Sequence, residues 1–380
     1  ATSSTTNSGA TASAIGLQTT ASGVASTAMG RETLASGSYS TAMGHLTTAS
    51  GETSTAMGRE TEAIGNYSTA IGFLTNADGG SSIAMGRQTL ANALYSTAMG
   101  YLTTASGESS SSMGYQTTAS GDYSTALGYL TVASGGSTLA MGRSSSATEL
   151  YATAMGHETT ASGNSSTATG YKTTASGASS LAMGKETTAG GDNSIAMGYL
   201  TSASGGSSIA MGRSSSATEL YATAMGHETT ASGNSSTATG YKTTASGASS
   251  LAMGKETTAG GDNSIAMGYL TSASGGSSIA MGRSTSASEL YATAMGHETS
   301  ASGNSSTATG YQTTASGSAS TVMGKGTIAS DYGSLVIGTY NLSGSTVTVD
   351  GTLPNIGNTA FVIGNGTNAV KSDAFKVMYN

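Results

Sequence analysis

Four histidines, His45, His157, His227 and His297, are the first residues to test as metal ligands or general bases. Each directly follows a glycine, and successive ones stand seventy or more residues apart, too sparse for a metal site within one chain. Serine is abundant, but none lies in a G-x-S-x-G elbow with spaced His and Asp partners, and there is no phosphate-binding Walker loop. Asp78, Asp122 and Asp192 lack the G-G-x-G-x-D setting that binds calcium in some β-rolls. With no cysteine, thiol catalysis and cysteine-held zinc or iron–sulfur centres are excluded. Neither catalysis, a cofactor nor a metal is expected. The chemistry that remains is that of contact surfaces. Arg31, Arg59, Tyr101, Tyr115 and Tyr171 share the column that holds the histidines, and a second row runs through Tyr39, Tyr67, Tyr95, Tyr123, Tyr151, Tyr221 and Tyr291. Tyr and Arg dominate binding hot spots, so Arg31, Arg59, Tyr39, Tyr67, Tyr101, Tyr115, Tyr123 and Tyr171 are candidate ligand contacts.

These rows need a scaffold, and the composition says that it is not an ordinary globular core. Of 380 residues 56 are glycine, only 9% are charged and 6% aromatic, with no tryptophan, so the large side chains that fill a conventional interior are missing. The net charge of −7 leaves no basic surface for phosphates, which excludes nucleic acid as a partner class. No apolar run approaches the roughly eighteen residues of a membrane-spanning helix.

Glycine recurs every fourteen residues from Gly16 to Gly338, twenty-four times without slippage. Alanine precedes it by two positions except at Ser112, Val322 and Val336, and each unit is a doubled S/T-x-A-x-G-x-x half-unit, as in 40–53. A period this short and strict is the mark of a solenoid whose coils stack on one another, whereas a flexible low-complexity linker has no reason to keep identities in fixed columns. The period of two within each half-unit indicates strand and excludes helix. Ser/Thr, Ala and Gly are expected on the inner face of two short strands per coil, around an interior too narrow for Leu or Phe.

The outward positions of the first strand then form an apolar ladder: Met29, Met43, Met57, Met85, Met99, Met113, Met141, Met155, Met183, Met197, Met211, Met225, Met253, Met267, Met281, Met295 and Met323, beside a Thr/Ile/Leu column that includes Ile83, Ile195 and Ile209. An exposed stripe of this length calls for a partner, and self-association is the natural sink. These residues are the expected subunit interface, with dimer and trimer equally allowed by the columns. The inverse arrangement, Met inside and Ala outside, would give a soluble monomer.

The unit Ser26-Thr-Ala-Met-Gly-Arg-Glu-Thr-Leu-Ala-Ser-Gly37 resembles the head repeat of the trimeric autotransporter adhesins, the YadA-like S-V-A-I-G-x-x-S-x-A-x-G motif, and the likeness extends from residue 12 to about 338. The resemblance implies an all-β, left-handed parallel β-roll of fourteen-residue coils, homotrimeric through the apolar pair flanking the Ala, with Met standing where the family has Ile. It also implies an extracellular or cell-surface location and a host matrix or cell-surface ligand.

The expected organisation is a lead-in at 1–14, twenty-four coils at 15–338 and a cap or connector at 339–380, which holds the only proline. Residues 143–212 recur identically as 213–282, so the repeat has been lengthened by duplication of five coils. The function expected is that of a non-enzymatic adhesin head. The alternatives are a structural filament or spacer, and an ice-binding solenoid using the Thr/Ser positions of the second strand, such as Thr160 and Ser162.

Overall fold

Alternation within S-x-A-x-G becomes a five-residue strand in every coil, as at Thr41–His45, and the second half-unit becomes a two-residue strand, as at Thr48–Ala49. The computed structural model describes residues 5–342 and 357–379. The architecture is all-β, a parallel β-solenoid of fourteen-residue coils. Two compact units are present, Ala1–Ala189 and Gly190–Asn380.

In the first unit the long strands run from Ser13–Leu17 to Leu181–Lys185, and successive ones pair in parallel at an offset of fourteen residues, so that identical columns meet: Ala42 on Ala56, Gly44 on Gly58. The short strands pair in the same register from Thr6–Asn7 onward, which carries the coil geometry into the segment expected to be a lead-in. The second unit repeats the plan from Ile195–Tyr199 to Leu335–Thr339. There, Thr359–Asn365 adds one more parallel strand, Leu335 opposite Phe361, and Asp373–Met378 turns back antiparallel against it. Asn341 completes the last short strand with its side chain: its Oδ1 accepts from the Ile328 amide at 2.8 Å and its Nδ2 donates to the Ile328 carbonyl at 3.0 Å. The Asp331 carboxylate likewise accepts from the Thr359 amide at 2.8 Å. Of the expected cap at 339–380, residues 343–356 and 380 lie outside the described residues, as do 1–4 of the lead-in.

The interior is made of alanine with serine and threonine, all essentially inaccessible in column after column, and it widens only where Val322, Val336 and Val362 replace Ala near the C-terminal end. Ser112, the remaining departure, meets Thr117 Oγ1 at 2.7 Å across the coil.

Two features differ from the sequence expectation. The strands are unequal, five residues against two, so the Thr/Ser positions of the second strand amount to a single strand column, with Ser50 or Ser162 already at the bend. The repeat glycines are not an inner face. Gly44 is partly exposed, and a Cβ there would lie 1.8 Å from the Gly58 carbonyl oxygen, in a backbone with φ of +131°. Glycine is required because the next coil passes where a side chain would begin.

Every coil also turns through two left-handed residues that are seldom glycine. From Thr11 to Ala319 the second residue after each repeat glycine and the ninth have φ of +50° to +62°. Tyr, Leu, Glu and Ser fill these positions against a cost of about 1–2 kcal/mol each. The turns are held by coil-to-coil hydrogen bonds, such as the Leu46 amide to the Arg31 carbonyl at 3.0 Å and the Tyr39 amide to the Val24 carbonyl at 2.7 Å.

Candidate functional site

The long strand puts its Ala column inside, so its neighbours face outward. Met29, Met43, Met57, Met85, Met113, Met141, Met155, Met197, Met211, Met225, Met267, Met281 and Met295 are half-buried, Met99, Met183, Met253 and Met323 are exposed, and Ile83, Ile195 and Ile209 lie beside them at the strand starts. Within each unit they stack in register, as in Met29–Met43–Met57 and Met197–Met211–Met225. Threonines interrupt the column at Thr169, Thr239 and Thr309. Half-buried to exposed along the column, these side chains leave an apolar face open on each unit.

The column expected to sit in a turn is instead the last residue of each long strand, and it forms a ridge of contacting rings and cations. In the first unit Arg59 lies 5.3 Å from the Phe73 ring centre, Arg87 5.7 Å from Phe73 and 5.4 Å from Tyr101. Tyr101, Tyr115 and Tyr129 stack at 5.0 and 4.9 Å, Arg143 lies 5.6 Å from Tyr129, and His157 stacks on Tyr171 at 5.1 Å with Lys185 beyond it at 5.7 Å. Parallel pairing in register produces this: a coil spacing of about 4.8 Å is also a ring-stacking distance. Arg31 and Arg59 are held by Glu32 and Glu60 at 2.9 Å, and these exposed ion pairs orient side chains more than they stabilise the fold. His157 Nδ1 stands 3.5 Å from Glu158. No three His, Cys, Asp or Glu side chains converge as metal ligands among the described residues.

The second tyrosine row lies in the other turn itself, at its left-handed residue, rather than before it. In the first unit it is regular: Tyr39, Tyr67, Tyr95, Tyr123 and Tyr151 recur every second coil, each 59–63% exposed. Between them stand Thr53, Ser81, Ser109 and Ser137, which share the same left-handed backbone. Tyr67 and Tyr95 flank an open groove of about 510 Å³ whose other walls are Asn66, Gly80, Ser81 and Leu94. The Asn66 and Asp122 side chains accept the amides of Glu52 and Glu108, each at 2.9 Å, which fixes the two carboxylate-bearing turns.

The structure therefore divides the candidate contacts in two. Arg31, Arg59, Tyr101, Tyr115 and Tyr171 belong to the filled ladder; Tyr39, Tyr67 and Tyr123 belong to a comb with open seats. Phe73, Leu94 and the small residues between the comb tyrosines were not singled out from the sequence. The signal for the comb was available in the spacing of twenty-eight residues, twice the coil period.

A family model for the YadA head domain repeat matches twenty stretches of the chain between residues 8 and 341, among them 8–33, 35–61 and 315–341. No curated protein matches the chain.

Proposed function

The chain belongs to the YadA head domain repeat family, and from that premise we propose that it is the head of a non-enzymatic, extracellular, homotrimeric adhesin. The observation that carries the reading is the methionine face. In a solenoid filled by alanine, an in-register stripe of Met with Ile and Leu remains on the outside, apolar and only partly covered by its own chain. Burying each such side chain is worth about 1.5–3 kcal/mol, and over the length of the stripe that far exceeds the cost of association.

In this assembly the left-handed coils of three chains meet through Met and Ile, with residues 339–380 closing the repeat at 15–338 and 1–14 leading into it. The outer surface carries the turn residues Tyr39, Tyr67 and Tyr123 and the strand-end residues Arg31, Arg59, Tyr101, Tyr115 and Tyr171 toward a host matrix or cell-surface ligand. Weak contacts repeated along the coils and across three copies add up by avidity. The test is the mass in solution by light scattering. Three chain masses are expected, reduced by Met211→Glu and Met225→Glu, and a monomeric wild-type chain overturns the reading.

A further inference from the structure

We propose that the tyrosine comb at residues 39–151 is a binding track for a neutral, extended β-1,4-linked polysaccharide, with alternate sugars seated between neighbouring tyrosines. The inference rests on the adhesin reading, whose ligand class it names. Comb positions lie two coils, about 9.6 Å, apart, so a ring seated midway is about 4.8 Å from each tyrosine, within the range of ring-to-ring contact. The ladder at the strand ends makes that very contact with its own side chains, Tyr115 at 5.0 and 4.9 Å from its neighbours. On the comb the corresponding places are taken by Thr53, Ser81, Ser109 and Ser137, and the groove between Tyr67 and Tyr95 is one such seat.

The seats select among flat or ring-bearing polymers. They carry hydroxyls that donate and accept, exposed at Thr53, Ser81 and Ser137 and half-buried at Ser109, and, at Glu52 and Glu108, exposed carboxylates that need hydrogen-bond donors. Sugar hydroxyls donate, and the apolar face of a pyranose covers an aromatic ring. A proline-rich strand advances about 9.3 Å per turn and fits the spacing, but its prolines have no N–H to give. Acidic glycans are repelled by Glu52, Glu108 and Asp122. The two-fold screw of an extended β-1,4 chain turns the same face round at every second sugar, as the comb offers one seat at every second coil.

Calorimetric titration of the full chain with cellohexaose and chitohexaose tests this. At least one hexasaccharide binds, and Tyr95→Ala or Tyr123→Ala weakens it by about tenfold, while Tyr221→Ala and Tyr291→Ala, at isolated tyrosines, leave it unchanged. Alanine already occupies this turn position at Ala25 and Ala319, so the variants keep the fold. The proposal is overturned if neither hexasaccharide binds at millimolar concentration, if comb and isolated variants behave alike, or if only a proline-rich peptide binds with dependence on Tyr95. A trimer that adheres to surfaces yet ignores both sugars overturns the comb alone. A monomer that binds a hexasaccharide through Tyr95 overturns the trimeric head and leaves the comb standing.

Discussion

The strand-end ladder and the turn comb of the first unit stand on the same coil spacing and share aromatic residues, yet they behave oppositely. On the ladder, Arg, Phe, Tyr, His and Lys stand in successive coils and satisfy one another: cation over ring, ring on ring, from Arg59 to Lys185. On the comb, tyrosine alternates with Ser or Thr and the rings have no aromatic neighbour of their own. The lesson is that occupancy, rather than geometry, decides whether an in-register row of aromatics stabilises the fold or remains available to something else.

The largest effect is expected in the backbone that both rows share. Gly44→Ala drives a Cβ into the Gly58 carbonyl from a φ of +131° and should cost at least about 4 kcal/mol in urea unfolding, disturbing ladder and comb together. The next change separates them. Tyr115→Ala removes two stacked contacts and should destabilise by about 1–3 kcal/mol, whereas Tyr123→Ala should stay within about 0.5 kcal/mol; equal losses would erase the distinction. Ser109→Tyr would convert comb into ladder locally, since that turn position accepts tyrosine elsewhere. It should stabilise by about 1–3 kcal/mol in urea unfolding and lower hexasaccharide affinity by about tenfold.

The smallest effect concerns Asp78, which begins the turn leading to the Gly80–Ser81 seat. Burial pushes its carboxyl above the ordinary range, partly offset by a hydrogen bond from Asn76. The folded chain thus holds this proton to higher pH than the unfolded chain. Its contribution to stability is fully present in acid and is lost as pH rises through the folded value. Asp78→Asn should flatten that slope in melting temperatures measured from acid to neutrality and slightly raise the neutral value.

Much of this was legible in the residues. Strict columns identified the solenoid, and the contrast between Ala and Met at alternate positions told inside from outside because a strand's side chains point to opposite faces. The role of Gly44 was not legible, since its partner lies in the next coil along the stacking direction and within-strand alternation says nothing of that axis. The left-handed turns were hidden for a different reason. Leu46, Glu60 and Tyr67 are not residues that advertise positive φ, and they hold it through hydrogen bonds from coil to coil. The ladder's columns were visible, but its mutual contacts needed the register, and the comb's doubled interval, though present in the numbering, acquires meaning only once the coils are stacked.

That doubled interval has an arithmetic consequence for how the molecule has grown. The copied block spans five coils, an odd number. Any feature that alternates coil by coil falls out of phase when one such block is inserted. Each copied block carries a single tyrosine of this row, so Tyr151, Tyr221 and Tyr291 stand five coils apart; Tyr221 falls at the wrong parity and Tyr291, ten coils on, returns to phase without a neighbour two coils away. Duplication could extend the apolar seam without limit, while confining the alternating tract to the part of the sequence that precedes it.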